Sequence, residues 1–152
     1  MKRDTRLSGV LHALLHMAEH DRAPMTSDML AHCMSTNPAV VRRTMAGLRE
    51  AGIVTSVKGH GGGWSLARDL SQVTLRDVYA ALGMTTVFCI GHRNGKPECL
   101  LEQVANEAMD DALARAESML VGRLNEITVA SLSVTFHQRA ALLTKERSSH
   151  AV

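Results

Sequence analysis

Two groups of residues in this sequence have types and spacings suited to chemistry. The first is cationic. Arg42 and Arg43 stand side by side, Arg49, Lys58 and Arg68 follow, and between positions 36 and 68 only Glu50 opposes these five. Ser35, Thr36, Asn37, Pro38 and Val40 precede the pair, and Lys58-Gly59-His60-Gly61-Gly62 comes after it. Hydroxyl and amide groups beside guanidinium groups can bond base edges and phosphates, and glycine lets backbone come close to a polyanion. The second group can ligate metal or change redox state. It comprises Cys33, Cys89 and Cys99, His92 three residues after Cys89, and His12, His16 and His20 at intervals of four. Thiolates and imidazoles at such spacings suit a transition metal, and accessible thiols oxidise.

The elements that would position these groups are legible from the pattern. With 45% apolar, 21% charged and 3% aromatic residues, nine of the 152 being Met, the chain should fold and should be mainly α. Leu7, Val10, Leu11, Leu14, Leu15 and Ala18 predict a helix over residues 4–20. A short helix over 27–33 follows, capped by Thr26 or Ser27. Asn37 is a good N-cap and Pro38 fits the first helical position. The helix they open should run to about Ala51 and stop at Gly52, with Val41, Met45 and Leu48 inward. Ile53–Val57 alternates as a strand, Gly59–Gly63 makes a tight tip, and Trp64-Ser65-Leu66 returns. Thr74 and Asp77 predict a capping box, opening a helix that ends near Gly83. From Glu98 to Glu126 the helical pattern is unbroken, a rod of roughly 40 Å whose stripe of Leu101, Ala105, Ala108, Ala112, Ala116, Met119 and Leu124 needs a cover. A second copy of the chain is the simplest one.

A short helix, a turn, a capped helix and a two-stranded hairpin make a winged helix-turn-helix. The capped helix is expected to enter a major groove with its backbone N–H groups and positive end toward phosphate. Arg42 and Arg43 would reach phosphates or guanine edges, and the glycine tip an adjacent minor groove or phosphate. Trp64 is read as filler beneath the wing. The division is residues 1–83 as the DNA-binding domain, 84–97 as a sensor loop, 98–136 as the dimerisation helix with a short helix after it, and 137–152 as a flexible tail. The charge fits: residues 1–70 hold nine Lys/Arg against six Asp/Glu, and residues 71–136 five against eight. A basic front and acidic rear present one face to a polyanion.

The runs Thr36-Asn37-Pro38-Ala39-Val40-Val41-Arg42-Arg43, Leu48-Arg49-Glu50-Ala51-Gly52-Ile53-Val54 and Val57-Lys58-Gly59-His60-Gly61-Gly62-Gly63-Trp64-Ser65-Leu66 resemble the Rrf2 family of bacterial winged-helix transcription regulators. So do Val73-Thr74-Leu75-Arg76-Asp77-Val78 and Ile127-Thr128-Val129-Ala130-Ser131-Leu132. The resemblance implies a homodimer held by the long helix, with two helix-and-wing units on a palindromic operator in double-stranded DNA. Trp64 stands where family wings usually carry Tyr. Many members bind an iron–sulfur cluster through three closely spaced cysteines, whereas this chain has only Cys89 and Cys99 in that loop.

Four uses of the thiols therefore stay open. A cluster would need Cys89, Cys99 and a histidine, either His92 or His12, which the resemblance places near a partner's loop. Zinc on Cys89, His92 and Cys99 would be one ligand short of a structural site. A disulfide could join Cys33 of one copy to Cys99 or Cys89 of the other, Cys99 standing where a helix dipole favours thiolate. All three could also be small buried hydrophobes. His12, His16 and His20 are read as a polar edge rather than a metal site. The expected cofactor set is none. An odd number of cysteines and the absence of any run of ~18 apolar residues point to a cytoplasmic protein without a membrane span or secretory leader. The function expected is a sequence-specific regulator, a repressor under thiol control. A metal-sensing regulator of the same fold, or a winged helix that docks on protein, is the alternative. An enzyme is not expected, because Cys89 and His92 lack an orienting acid and an oxyanion-hole motif.

Overall fold

The computed structural model describes residues 4–20, 23–84, 87–88, 90–93 and 98–149. Helix α1 spans Arg6–Glu19 and buries Val10, Ala13, Leu14 and Met17, while Leu7, Leu11 and Leu15 flank the contact half-buried. The buried stripe is thus rotated slightly from the leucine stripe toward Ala13 and Met17. Asp4 fixes its start: the Arg6 guanidinium bonds this carboxylate and holds its pKa below the usual range. The same guanidinium reaches the Leu82 carbonyl at 3.3 Å. Helix α2 spans Ser27–Cys33, with the Thr26 hydroxyl accepting from the Met29 N–H at 3.2 Å.

Helix α3 spans Pro38–Glu50 and turns exactly the predicted residues inward, for Val41, Met45 and Leu48 are all fully buried. It ends as expected, with Gly52 at φ +70 just past the C-cap Ala51. Strands β1 (Val54–Val57) and β2 (Gly63–Leu66) pair antiparallel, Val54 opposite Leu66 and Val57 opposite Gly63. Ile53 falls outside the strand yet lies fully in the core. A 3-10 turn at Leu70–Gln72 leads to helix α4, Leu75–Ala81, which opens with the predicted capping box of Thr74 and Asp77. One core joins the inward faces of α1 to α4 and the wing.

Helix α5 spans Leu100–Glu126 and contains no buried residue. Its far end is nonetheless anchored. The Leu75 N–H donates to the Ile127 carbonyl at 2.9 Å, the Val129 N–H donates to Val73 at 2.8 Å, and Val129 is fully buried. Helix α6 then spans Val129–Ser149. This corrects the expected short helix and flexible tail over 137–152: residues 137–149 are helical, and 150–152 lie outside the described residues. The polar content of this stretch suggested a tail, but it has neither Gly nor Pro and contains Ala140, Ala141, Leu142 and Leu143. A helix nucleated at buried Val129 propagates readily through such residues. Ser133 and His137 of α6 both bond the Glu19 carboxylate, at 3.0 and 3.1 Å, tying α6 to the end of α1.

Candidate nucleic-acid interface

The turn between α2 and α3 is built from its backbone outward. Ser35 adopts φ 50, left-handed for a residue with a side chain, and its N–H donates to the His32 carbonyl. The Thr36 N–H donates to Ala31 at 3.0 Å and the residue is half-buried. Asn37 is extended, and its Oδ1 accepts from the N–H groups of both Ala39 and Val40 at 3.1 Å. That double bond overturns one expectation. Pro38 has no N–H, Asn37 takes the next two, and Val41 already donates back to the Asn37 carbonyl. The first turn of α3 therefore has its N–H groups engaged within the chain, which leaves the N–H of the N-cap Asn37 as the backbone donor without a partner among the described residues. What it offers is the positive end of the helix, the Ser35 hydroxyl and the side chains of its outer face.

That outer face follows from the inner one. With Val41, Met45 and Leu48 buried, Val40, Arg42 and Arg43 are left exposed. Arg42 lies about 100° round the helix from Val41 and Arg43 about 200°, nearly opposite the buried stripe, so both can extend toward a groove. At the other edge, Lys58, Gly59, His60 and Gly61 form an exposed tip. Gly62 is the structural glycine there. A Cβ on it would lie 2.3 Å from the Val57 carbonyl oxygen, so the hairpin closes only with hydrogen at that position. Gly59 and Gly61 supply the positive φ values, 96 and 76.

Trp64 is 8% exposed, consistent with filler beneath the wing. Its polar edge is also used, because Nε1–H donates to the Ser27 hydroxyl at 3.1 Å. Sequence reasoning assigned Ser27 only a possible capping role. An indole one residue past a glycine tip needs an acceptor when buried, and that requirement was the available signal.

The thiols and imidazoles are dispersed. Cys33, half-buried, ends α2, and Cys99, exposed, caps α5; both are free. Cys89 lies outside the described residues, as do four positions of the loop after His92. His92 Nε2 bonds both oxygens of Asp110 on α5, at 2.9 and 3.0 Å. His12 Nδ1 meets the Cys33 carbonyl at 2.9 Å and so must donate, and its Nε2 lies 2.9 Å from Nε2 of His16. Among the described residues no three His, Cys, Asp or Glu side chains are grouped to hold a metal ion. Tyr79 on α4 buries a hydroxyl without a partner among the described residues. Burial, and secondarily the Glu117 carboxylate, push its pKa up.

A two-helix reader with a glycine-tipped wing on a shared core defines a winged helix-turn-helix protein of the DNA-binding kind. The Rrf2 family model, described as an iron-dependent transcriptional regulator, matches residues 3–135. The chain belongs to the Rrf2 family and is a DNA-binding transcriptional regulator. It is 30% identical over 129 residues to YwnA of Bacillus subtilis, which carries the name of an HTH-type transcriptional regulator; the match covers 85% of this chain and 92% of that one. Two solved structures share the fold. A transcriptional regulator from Lactobacillus plantarum superposes with a TM-score of 0.76 at 22% identity, covering 95% and 98% of the two chains. The T. potens IscR structure does so with a TM-score of 0.62 at 21% identity, covering 87% and 85%. Among the described residues no helix is long and apolar enough to cross a membrane.

Proposed function

We propose that this chain is a homodimeric repressor that reads a palindromic operator with α3 and the wing of each copy. The observation that carries the reading is the outward display of Arg42 and Arg43 on a helix whose opposite face is wholly buried. Ser35, Thr36, Asn37, Pro38 and Val40 would lie at the groove beside them, with Lys58 through Gly62 on the flanking backbone. Pairing is supported by α5. Leu101 is 82% and Met119 77% exposed, and Val104 is exposed between them. A helix with such a stripe is stable in water when a second copy covers it. Residues 98–136 are thereby assigned to dimerisation and residues 84–97 to sensing.

Thiol control at Cys99, with Cys33 and Cys89, completes the proposal. Cys99 is exposed at the first turn of the same α5, and the Cys33 carbonyl at the end of α2 is held by His12, so oxidation at either touches an element that positions the reader. The test is DNA binding of the purified chain after mild peroxide, with each cysteine changed to Ser. Lost affinity and a reducible dimer band on a gel, both abolished in Cys99→Ser, support thiol control. Unchanged affinity without a crosslink removes it while leaving the DNA reading intact. Leu101→Glu with Met119→Glu tests pairing: sedimentation as single chains, with weak DNA binding, is the result expected.

A further inference from the structure

The wing and the helix pair contact DNA at separate places, so the angle between them decides whether both contacts form together. Three features fix that angle. The chain just before α2 joins the wing through a single antiparallel bridge, where the Met25 N–H donates to the Trp64 carbonyl and the Trp64 N–H to the Met25 carbonyl, both at 2.9 Å. Gly63 makes the approach possible: at φ +154, a Cβ there would stand 2.5 Å from the Met25 carbonyl oxygen. Last, the Trp64 indole donates to Ser27, the first residue of α2, at 3.1 Å in a part-buried setting. A second tie, Arg49 Nη1 to the Ser56 hydroxyl, is exposed and long at 3.5 Å.

We propose that Ser27 and Trp64 are a positioning pair, which sets the wing against the reading helix so that both engage one DNA site at once. The proposal rests on the reading above and deepens it. The two backbone bonds hold one edge of the wing, and Val54 and Trp64 seat its base in the shared core. The indole–hydroxyl bond adds the one side-chain hydrogen bond among the described residues from the wing to α2, which fixes the wing against the first residue of that helix. With the pair intact, the orientation is settled before DNA arrives and no ordering cost falls on binding.

The test uses a duplex that the wild-type protein selects from a random-sequence pool. Ser27→Ala, Ser27→Thr, Trp64→Phe and the double variant Ser27→Ala/Trp64→Phe are compared on it by anisotropy across a salt series and by hydroxyl-radical footprinting. Ser27→Ala strands the indole N–H and should weaken binding about threefold to tenfold. Its salt slope should become shallower, with protection lost under the wing and kept under α3. Ser27→Thr keeps the hydroxyl and should restore both. Trp64→Phe should repeat the footprint change with a smaller loss, and the double variant should be no worse than Ser27→Ala. A Ser27→Ala protein that melts earlier but keeps its full footprint and slope overturns the proposal, because the bond is then structural only. Protection lost equally under helix and wing overturns it too. A wild-type protein that selects no duplex overturns the DNA reading itself, and the pair's role with it.

Discussion

The front of the molecule, from α1 to α4, and its rear, α5 and α6, solve opposite problems with similar material. In the front, short capped helices turn every large inward residue into one core, and Leu14, Leu30, Met45 and Leu48 are fully shielded. Three of the four carry side-chain caps, Thr26, Asn37 and Thr74 each accepting backbone N–H groups, whereas the N-cap of α1 makes no such bond. In the rear, a 27-residue helix follows the N-cap Cys99 without a side-chain cap and leaves Leu100, Leu101 and Leu120 exposed. The front is complete as a single chain. The rear leaves apolar surface exposed, and the proposed pairing of two copies would cover it.

Substitutions can break this contrast. Leu48→Ala removes a fully buried side chain and should cost about 2–5 kcal/mol in chemical denaturation. Leu101→Ala, on the exposed stripe of α5, should stay within about 0.5 kcal/mol when measured at a dilution that separates copies. Equal costs at the two sites would erase the distinction. Asn37→Ala should cost about 1 kcal/mol, read as a lower melting temperature, because it releases two N–H groups from their cap. The smallest effect is expected on α4. Tyr79 of that helix is buried with its hydroxyl unpartnered among the described residues, and Tyr79→Phe should be neutral or slightly stabilising in the same assay. The raised pKa of Tyr79 gives this variant a pH signature. A folded-state value above the ordinary 10.0 means the group's contribution is intact below pH 10 and lost as pH rises through the folded value. Wild-type stability should therefore fall at high pH more steeply than that of Tyr79→Phe.

What was legible in the sequence and what was not divide along another line, local signals against long-range ones. Asn37-Pro38, Gly52, the Thr74–Asp77 box and the glycine tip are local signals, and each element they mark appears where it was read. The long helix was equally plain, because periodicity over so many residues needs no tertiary information. The extent of α6 was missed, since its anchor is the long-range pairing of residues 127–129 with 73–75, and its polar composition resembles a tail. The Ser27–Trp64 bond and the bridge at Met25 were missed for the same reason: no local pattern links positions almost 40 residues apart. Within the reading turn, the residue types were legible but their bookkeeping of donors was not. Only the geometry shows Asn37 taking the N–H groups of Ala39 and Val40, which puts more of the burden of phosphate contact on the arginines.

That burden can be weighed directly. Fluorescence anisotropy of the wild-type chain and of Arg42→Ala/Arg43→Ala on a selected duplex, across a salt series, reads the cations in contact with DNA. The wild-type affinity should fall linearly on a log–log plot, and the double variant should bind at least about tenfold more weakly with a slope reduced by about four, two arginines being lost from each copy. Identical affinity and slope for the two proteins would contradict the assignment of α3 as the reading helix.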